Sequence, residues 1–206
     1  MSKNYHHGDL RNALIIAAAE LIEEAGCPDF TISDAAKRAG VSAAAPYRHF
    51  RDRDDLLNAV AQLCFIGLAD SALQTREQHD LGSRECVIAL GLAYIKYVSE
   101  RPAFYQLMWN ERQAIAAATA GDTEAINQPG FTIFLQAVQA WCDRQHFVDV
   151  DALDLAVKMW ALAHGLAVLN INGKLSLFLP EANVYDMLRS SASTFLDGVE
   201  RSHQGQ

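Results

Sequence analysis

Residues 31–50, TISDAAKRAGVSAAAPYRHF, constrain this chain more than any other stretch of it. Thr31 with Asp34 three positions on is a capping box, which starts a helix. Ala35, Ala36 and Ala39 give that helix a face small enough for another helix to lie close. Gly40 stands where a helix C-terminus favours a residue tolerant of positive φ. Ser42 is placed to cap a second helix, which carries Tyr47, Arg48 and His49 and is followed by Arg51 and Arg53. Two helices joined by a short turn containing glycine form a helix-turn-helix, whose second member enters the DNA major groove.

Helical periodicity runs through the rest of the chain, with no alternating strand pattern, so the predicted fold is all-α. Residues 1–8 read as a flexible arm and residues 9–55 as a three-helix head. Residues 56–206 read as a helical body. In the first helix, about 9–25, Leu10, Leu14, Ala17, Ala18, Leu21 and Ile22 share one face, and Gly26 ends it. Asp52 with Asp55 caps a long helix, about 53–77, with Leu56, Val60, Leu63, Cys64, Gly67 and Leu68 turned inward. In the body, Phe131, Phe134, Leu135, Val138, Trp141 and Cys142 give an i, i+3, i+4, i+7 face. Residues 118–128 lack a period and read as a mobile loop. A helix of about 150–170 becomes apolar nearly all round between Met159 and Ile171, and another follows at about 181–200. A helix apolar on every side must be covered on every side. The last two helices are therefore the expected homodimer interface, a four-helix bundle about a two-fold axis.

The 206 residues suffice for one large or two small domains, and the apolar and charged fractions, 50% and 20%, are ordinary for a globular protein. The uncharged run at 159–173 falls short of the roughly 18–20 residues of a membrane span, and nothing at the N-terminus resembles a signal peptide. A cytosolic protein with no membrane partner is expected. Cys27, Cys64, Cys86 and Cys142 match no metal or redox spacing and read as small buried hydrophobes; Cys142 beside Arg144 is the best placed of them for a thiol sensor. No phosphate loop, HExxH or nucleophile–base pattern occurs, so neither an enzyme nor a metal or cofactor is expected.

The net charge of −8 argues against a polyanion partner until its distribution is considered. Residues 1–56 hold seven Lys and Arg against nine Asp and Glu, yet from Lys37 to Arg53 there are five basic residues and one acid. A small basic face on an acidic molecule orients it on DNA while weakening non-specific adhesion.

The run AGVSAAAPYRHFRDRDDLLNAVA, the preceding LRNALIIAAAELIEEAG and the Tyr-x-His-Phe signature resemble the DNA-binding head of the tetracycline-repressor (TetR) family, over about residues 9–68. Trp160, His164 and Gly165, spaced W-x-x-x-H-G, resemble the C-terminal domain of a subfamily named for those residues. The resemblance implies a ligand-binding and dimerisation body and a double-stranded DNA operator. It implies phosphate contacts from Thr31, Ser33, Tyr47, His49 and Arg53, the last where the family usually has lysine. Base reading would fall to the first turn of the recognition helix, Ser42, Ala43, Ala44 and Ala45, with Lys37 and Arg48 as further contacts. Arg48 is the best candidate for a guanine edge.

Two features depart from the family pattern. Alanines offer only apolar contacts, such as to a thymine methyl, and Pro46 restrains the turn it follows. Family members similar to this chain also bind a small apolar or amphipathic effector, for which Tyr94, Phe104, Tyr105, Met108, Trp109, Phe131, Trp141, Trp160 and His164 are the candidate contacts. The function so implied is a homodimeric repressor released from a palindromic operator by a small molecule. An activator, and a helical small-molecule-binding protein with little operator specificity, remain alternatives.

Overall fold

The computed structural model describes residues 9–109 and 129–203. The expected arm and the expected loop at 118–128 lie outside these residues. Regular structure among them is helical: α1 Leu10–Ala25, α2 Ile32–Arg38, a 3-10 turn Pro46–Arg48, α3 Arg53–Glu77, α4 Arg84–Ser99, α5 Pro102–Met108, α6 Pro129–Arg144, α7 Ala152–Ile171, α8 Lys174–Phe178 and α9 Val184–His203. The chain forms two compact units, Met1–Cys64 with Arg101–Ala114, and Phe65–Glu100 with Ile115–Gln206. This division differs from the expected head at 9–55. Leu56, Val60 and Ala61, at the start of α3, are sealed from solvent, and α5 packs on α1.

Burial of apolar faces organises the first unit. Leu14, Ala18 and Ile22 of α1, Ala35 of α2, Phe50 and Leu56 have almost no exposed surface. Leu63 does not join them: it is 41% exposed, because the buried stripe of α3 runs through Leu56, Val60 and Cys64 and leaves Leu63 on its flank. In the second unit α4 packs against α6, α7 and α9, and α7 also contacts α6, α8 and α9. Val87, Leu90, Val138, Trp141, Ala156, Met159, Ala192 and Leu196 meet at its centre.

Helix α7 contains most of the uncharged run and is 20 residues long, with a mean hydropathy of 1.5 over its most apolar 18-residue window; α3 reaches 1.6, so by length and composition both could cross a membrane, which the uncharged run alone would not suggest. The core helices of globular bundles have the same property, and α7 places Leu155, Ala156, Met159, Ala163 and Ala167 in its unit's interior. Around this buried face a second apolar stripe stays open: Leu153, Val157, Ala161, Gly165 and Leu169, one every four residues. On α9, Ser190, Thr194 and Gly198 repeat the four-residue spacing with small exposed side chains. Outside its own helix turn, no atom among the described residues lies within 4 Å of where a Cβ of Gly165 or Gly198 would sit, so none of the described helices presses on either.

Candidate nucleic-acid interface

The helix-turn-helix is built by its caps. Thr31 N–H donates to Asp34 Oδ2 at 2.8 Å, and Asp34 N–H donates to Thr31 Oγ1 at 3.2 Å. The Thr31 hydroxyl gives its own proton to the same carboxylate at 2.6 Å, so it is engaged within the cap rather than turned outward as a phosphate donor. These hydrogen bonds hold the Asp34 carboxyl below its ordinary value of 3.8. At the other end of α2, Val41 N–H reaches Ala36 O at 3.0 Å and Gly40 N–H reaches Lys37 O at 3.1 Å, with Gly40 at φ 71. This is the Schellman arrangement, and it turns the chain sharply into the reading segment.

The second helix is shorter and tighter than its sequence suggests. Ala45 N–H bonds to Ser42 O at 2.9 Å, Arg48 N–H to Ala45 O at 3.3 Å and His49 N–H to Pro46 O at 2.9 Å, all i to i−3. Pro46 is the cause: it has no N–H with which to close an α-turn, and its ring is buried as a wedge against the first unit's core. Ser42, Ala43, Ala44, Tyr47, Arg48 and His49 are left exposed, Tyr47 at 60%, and Ala45 is half-buried.

The basic residues are not equivalent. Arg38 grips Glu24 through both terminal nitrogens at 2.7 and 2.5 Å and touches Glu20 at 3.4 Å. Arg53, expected on a phosphate, turns inward: Nε donates to Phe30 O at 2.7 Å, Nη2 donates to Pro28 O, and the guanidinium lies 5.3 Å from the centre of the Phe30 ring. It begins α3, where the nearest unpaired carbonyls belong to the loop before α2. Arg51 pairs with Asp52 at 3.2 Å, and Arg11 stands over the Phe50 ring. Arg48 is exposed and has no partner among the described residues; exposed Lys37 lies near the Asp34 carboxylate, whose charged form it favours. Ser33, also exposed, sits in the first turn of α2.

The expected effector contacts divide between the units. Phe104, Tyr105, Met108 and Trp109 belong to the first, where Phe104 and Met108 are buried; Tyr94, Phe131, Trp141, Trp160 and His164 belong to the second. There Tyr94 Oη and His164 Nδ1 share a hydrogen bond of 2.7 Å, Trp160 lies against His164 at 5.1 Å with the rings tilted by 41°, and Phe131 meets Trp160 edge-on at 6.3 Å. Burial pushes His164 below its ordinary 6.5, which keeps it neutral at pH 7.

Trp141 is not part of this group. It is wholly buried and packs edge-on against Phe147, so it belongs to the core and cannot line an open site. A cavity lined by Ile88, Gly91, Phe134, Met159 and Leu188 holds only about 10 Å³, room for at most one water. Cys142 is 1% exposed, its thiol is pushed up to about 11 by burial, and Arg144 engages Asp80 instead; this removes it as a sensor. Cys27, expected to be buried, is exposed.

A capped α2, turned tightly into a segment that exposes Tyr47, Arg48 and His49, on a chain whose regular structure is helical among the described residues, defines a helix-turn-helix DNA-binding protein. Residues 14–60 match the bacterial regulatory proteins of the tetR family, and residues 87–191 match the tetracyclin repressor-like C-terminal domain. The chain belongs to this family of transcriptional regulators, which are not enzymes. Trp160, His164 and Gly165 fall inside the second match. Over 80 residues the chain is 36% identical to the HTH-type transcriptional regulator BetI 1 of Chromohalobacter salexigens, a stretch making up 39% of this chain and 40% of that protein. The likeness thus spans about two-fifths of the relative's length. A solved Rhodococcus sp. RHA1 protein of unknown function is 28% identical with a TM-score of 0.78, covering 96% of this chain and 98% of its own. The TetR family transcriptional regulator PfmR of Thermus thermophilus shares the fold at 20% identity and a TM-score of 0.52, covering 87% of this chain and 94% of that one.

Proposed function

We propose that the chain is a cytoplasmic, homodimeric repressor that a small apolar or amphipathic effector releases from a palindromic operator. The observation that carries the DNA half of this reading is the exposed cluster of Tyr47, Arg48 and His49, with exposed Lys37 at the end of α2. Tyr47 and His49 would hold phosphates, with Ser33 at the start of α2, while Ser42, Ala43, Ala44 and Ala45 face the groove. Arg53 takes no part: its donors are already engaged by Pro28 and Phe30.

The open stripes on α7 and α9 support the dimer. A four-residue repeat of small and aliphatic side chains suits helix-on-helix packing, and a second copy is its natural cover. Two reading segments would then sit about 34 Å apart, or a multiple of that, on one face of the duplex.

Tyr94, Phe131, Trp160 and His164 are the proposed effector contacts, offering stacking surface and one polar pair. An effector can act only through a difference in its affinity for the two head spacings. The test is selection of binding sites from random duplex DNA, paired with sedimentation of the protein and a metabolite panel. A palindrome bound by a dimer and released by one compound is the expected result. A strictly monomeric protein that enriches no sequence would overturn it, leaving a small-molecule-binding protein.

A further inference from the structure

We infer that operator recognition depends on thymine C5-methyl groups, with a single arginine-read guanine in each half-site; this rests on the DNA-binding reading above. The groups able to touch base edges are few. Arg38 is held by Glu24, Arg53 by two backbone carbonyls and Arg51 by Asp52, so none of the three reaches a base without leaving its partner. Arg48 is the exposed guanidinium of the reading segment without a partner among the described residues. N-terminal to it the exposed surface is Ser42, Ala43 and Ala44, two methyl groups and one hydroxyl. Methyl side chains cannot distinguish hydrogen-bond donors from acceptors. In the major groove they meet a complementary apolar group in one place, the C5-methyl of thymine.

The 3-10 winding sharpens this. Side chains three apart eclipse one another in such a turn, which puts Ala44 in line with exposed Tyr47 and half-buried Ala45 in line with Arg48. The exposed methyls of Ala43 and Ala44 therefore precede the guanidinium along the segment. Because C5 methylation places the same group on cytosine, 5-methylcytosine becomes a partial substitute for thymine at these positions.

The first arm of the experiment alters the DNA and leaves the full-length protein untouched, so its outcome does not depend on the folding of a variant. In the operator obtained by selection, each thymine of a half-site is replaced in turn by deoxyuridine, which removes only the methyl. Affinity should fall about fourfold at two or more adjacent positions, the worth of one buried methyl-sized group. Cytosine placed there should bind less well than 5-methylcytosine by a similar factor. Arg48→Ala should cost roughly ten- to hundredfold and abolish preference at one G·C pair. If uridine substitution throughout the half-site leaves the affinity within twofold, or Arg48→Ala retains every base preference, the inference fails while operator binding stands. If no sequence is enriched at all, the DNA-binding reading fails first, and that outcome is seen before any uridine is introduced.

Discussion

At the scale of single residues, the sequence reveals which charges exist but not which of them are already taken. Five basic side chains between Lys37 and Arg53 read as one electropositive face, yet Glu24, Asp52 and the carbonyls of Pro28 and Phe30 absorb three. Glu24 lies 14 residues from Arg38, and the carbonyls lie 23 and 25 from Arg53, separations that no local pattern encodes. Arg53→Ala should therefore act on stability: two partly buried carbonyls lose a charged donor, at about 1–3 kcal/mol. Urea titration of the variant should show that loss, and the salt dependence of operator binding should keep its slope. A flattened slope with unchanged stability would return Arg53 to the phosphate backbone. Asp34 carries a pH prediction. Its carboxyl is depressed below 3.8 by the Thr31 hydroxyl and backbone N–H, so its stabilisation is complete above that value and lost as pH falls through the lower folded one. Asp34→Ala should lower the melting temperature at pH 7, and the gap from the parent should narrow below pH 3.8; a gap constant with pH would rule the capping box out as its source.

At the scale of elements, boundaries with a chemical marker were legible. Thr31 with Asp34, Asp52 with Asp55 and Gly26 at φ 68 fix the start of α2, the start of α3 and the end of α1 where the sequence puts them. The reading helix kept its position and lost its α-geometry, because Pro46 removes a hydrogen bond that apolar spacing cannot register. Helix α8 escaped notice altogether: five residues carry too little periodicity to stand out. The end of α6 at Arg144 agrees with the loop expected near Gln145–Asp149, but the residue that caps it carries no sequence marker. His146 occupies the left-handed position, φ 59, that a Schellman cap usually gives to glycine, with Phe147 N–H bonding to Cys142 O at 3.1 Å and the Phe147 ring on Trp141. His146→Gly should relieve that strain and, after the entropy glycine adds to the unfolded chain, gain about 0.5–1 kcal/mol by thermal denaturation. Gly82 is the converse case. It sits at φ +82, and an added Cβ would lie 2.7 Å from the Ala140 carbonyl oxygen, in backbone that cannot swing aside. Gly82→Ala should cost about 2–3 kcal/mol; a loss under about 0.5 kcal/mol would mean that the turn between α3 and α4 moves freely.

At the scale of the whole molecule, the prediction with most at stake concerns the face of α7 left open by its own chain. The apolar character of α7 beyond Met159 was legible in the sequence, and it motivates the proposal that a second copy covers the open face. What the sequence could not separate was which side meets the core and which the partner, since Leu155 and Val157 are equally apolar; the fold divides them, burying the first and leaving the second 43% exposed. A helix of 20 residues is about 30 Å long, and two of these, α7 and α9, from each copy are enough to bury the roughly 1,000 Å² or more expected of a stable pair. In such a pair Gly165 and Gly198, whose missing Cβ atoms would meet nothing within 4 Å, would let backbones approach closely. Val157→Glu places a carboxylate in that seam without touching the interior. The folded protomer should keep its helix content by circular dichroism and its denaturation midpoint should move little, as an exposed substitution allows. Sedimentation should report a monomer. Operator affinity should then fall by a hundredfold or more, on the order of the advantage lost when a second half-site is no longer held at high effective concentration. A Val157→Glu protein that sediments as a dimer and binds its operator normally would place the two-fold contact elsewhere; a monomer that still binds at full strength would show that one reading segment suffices.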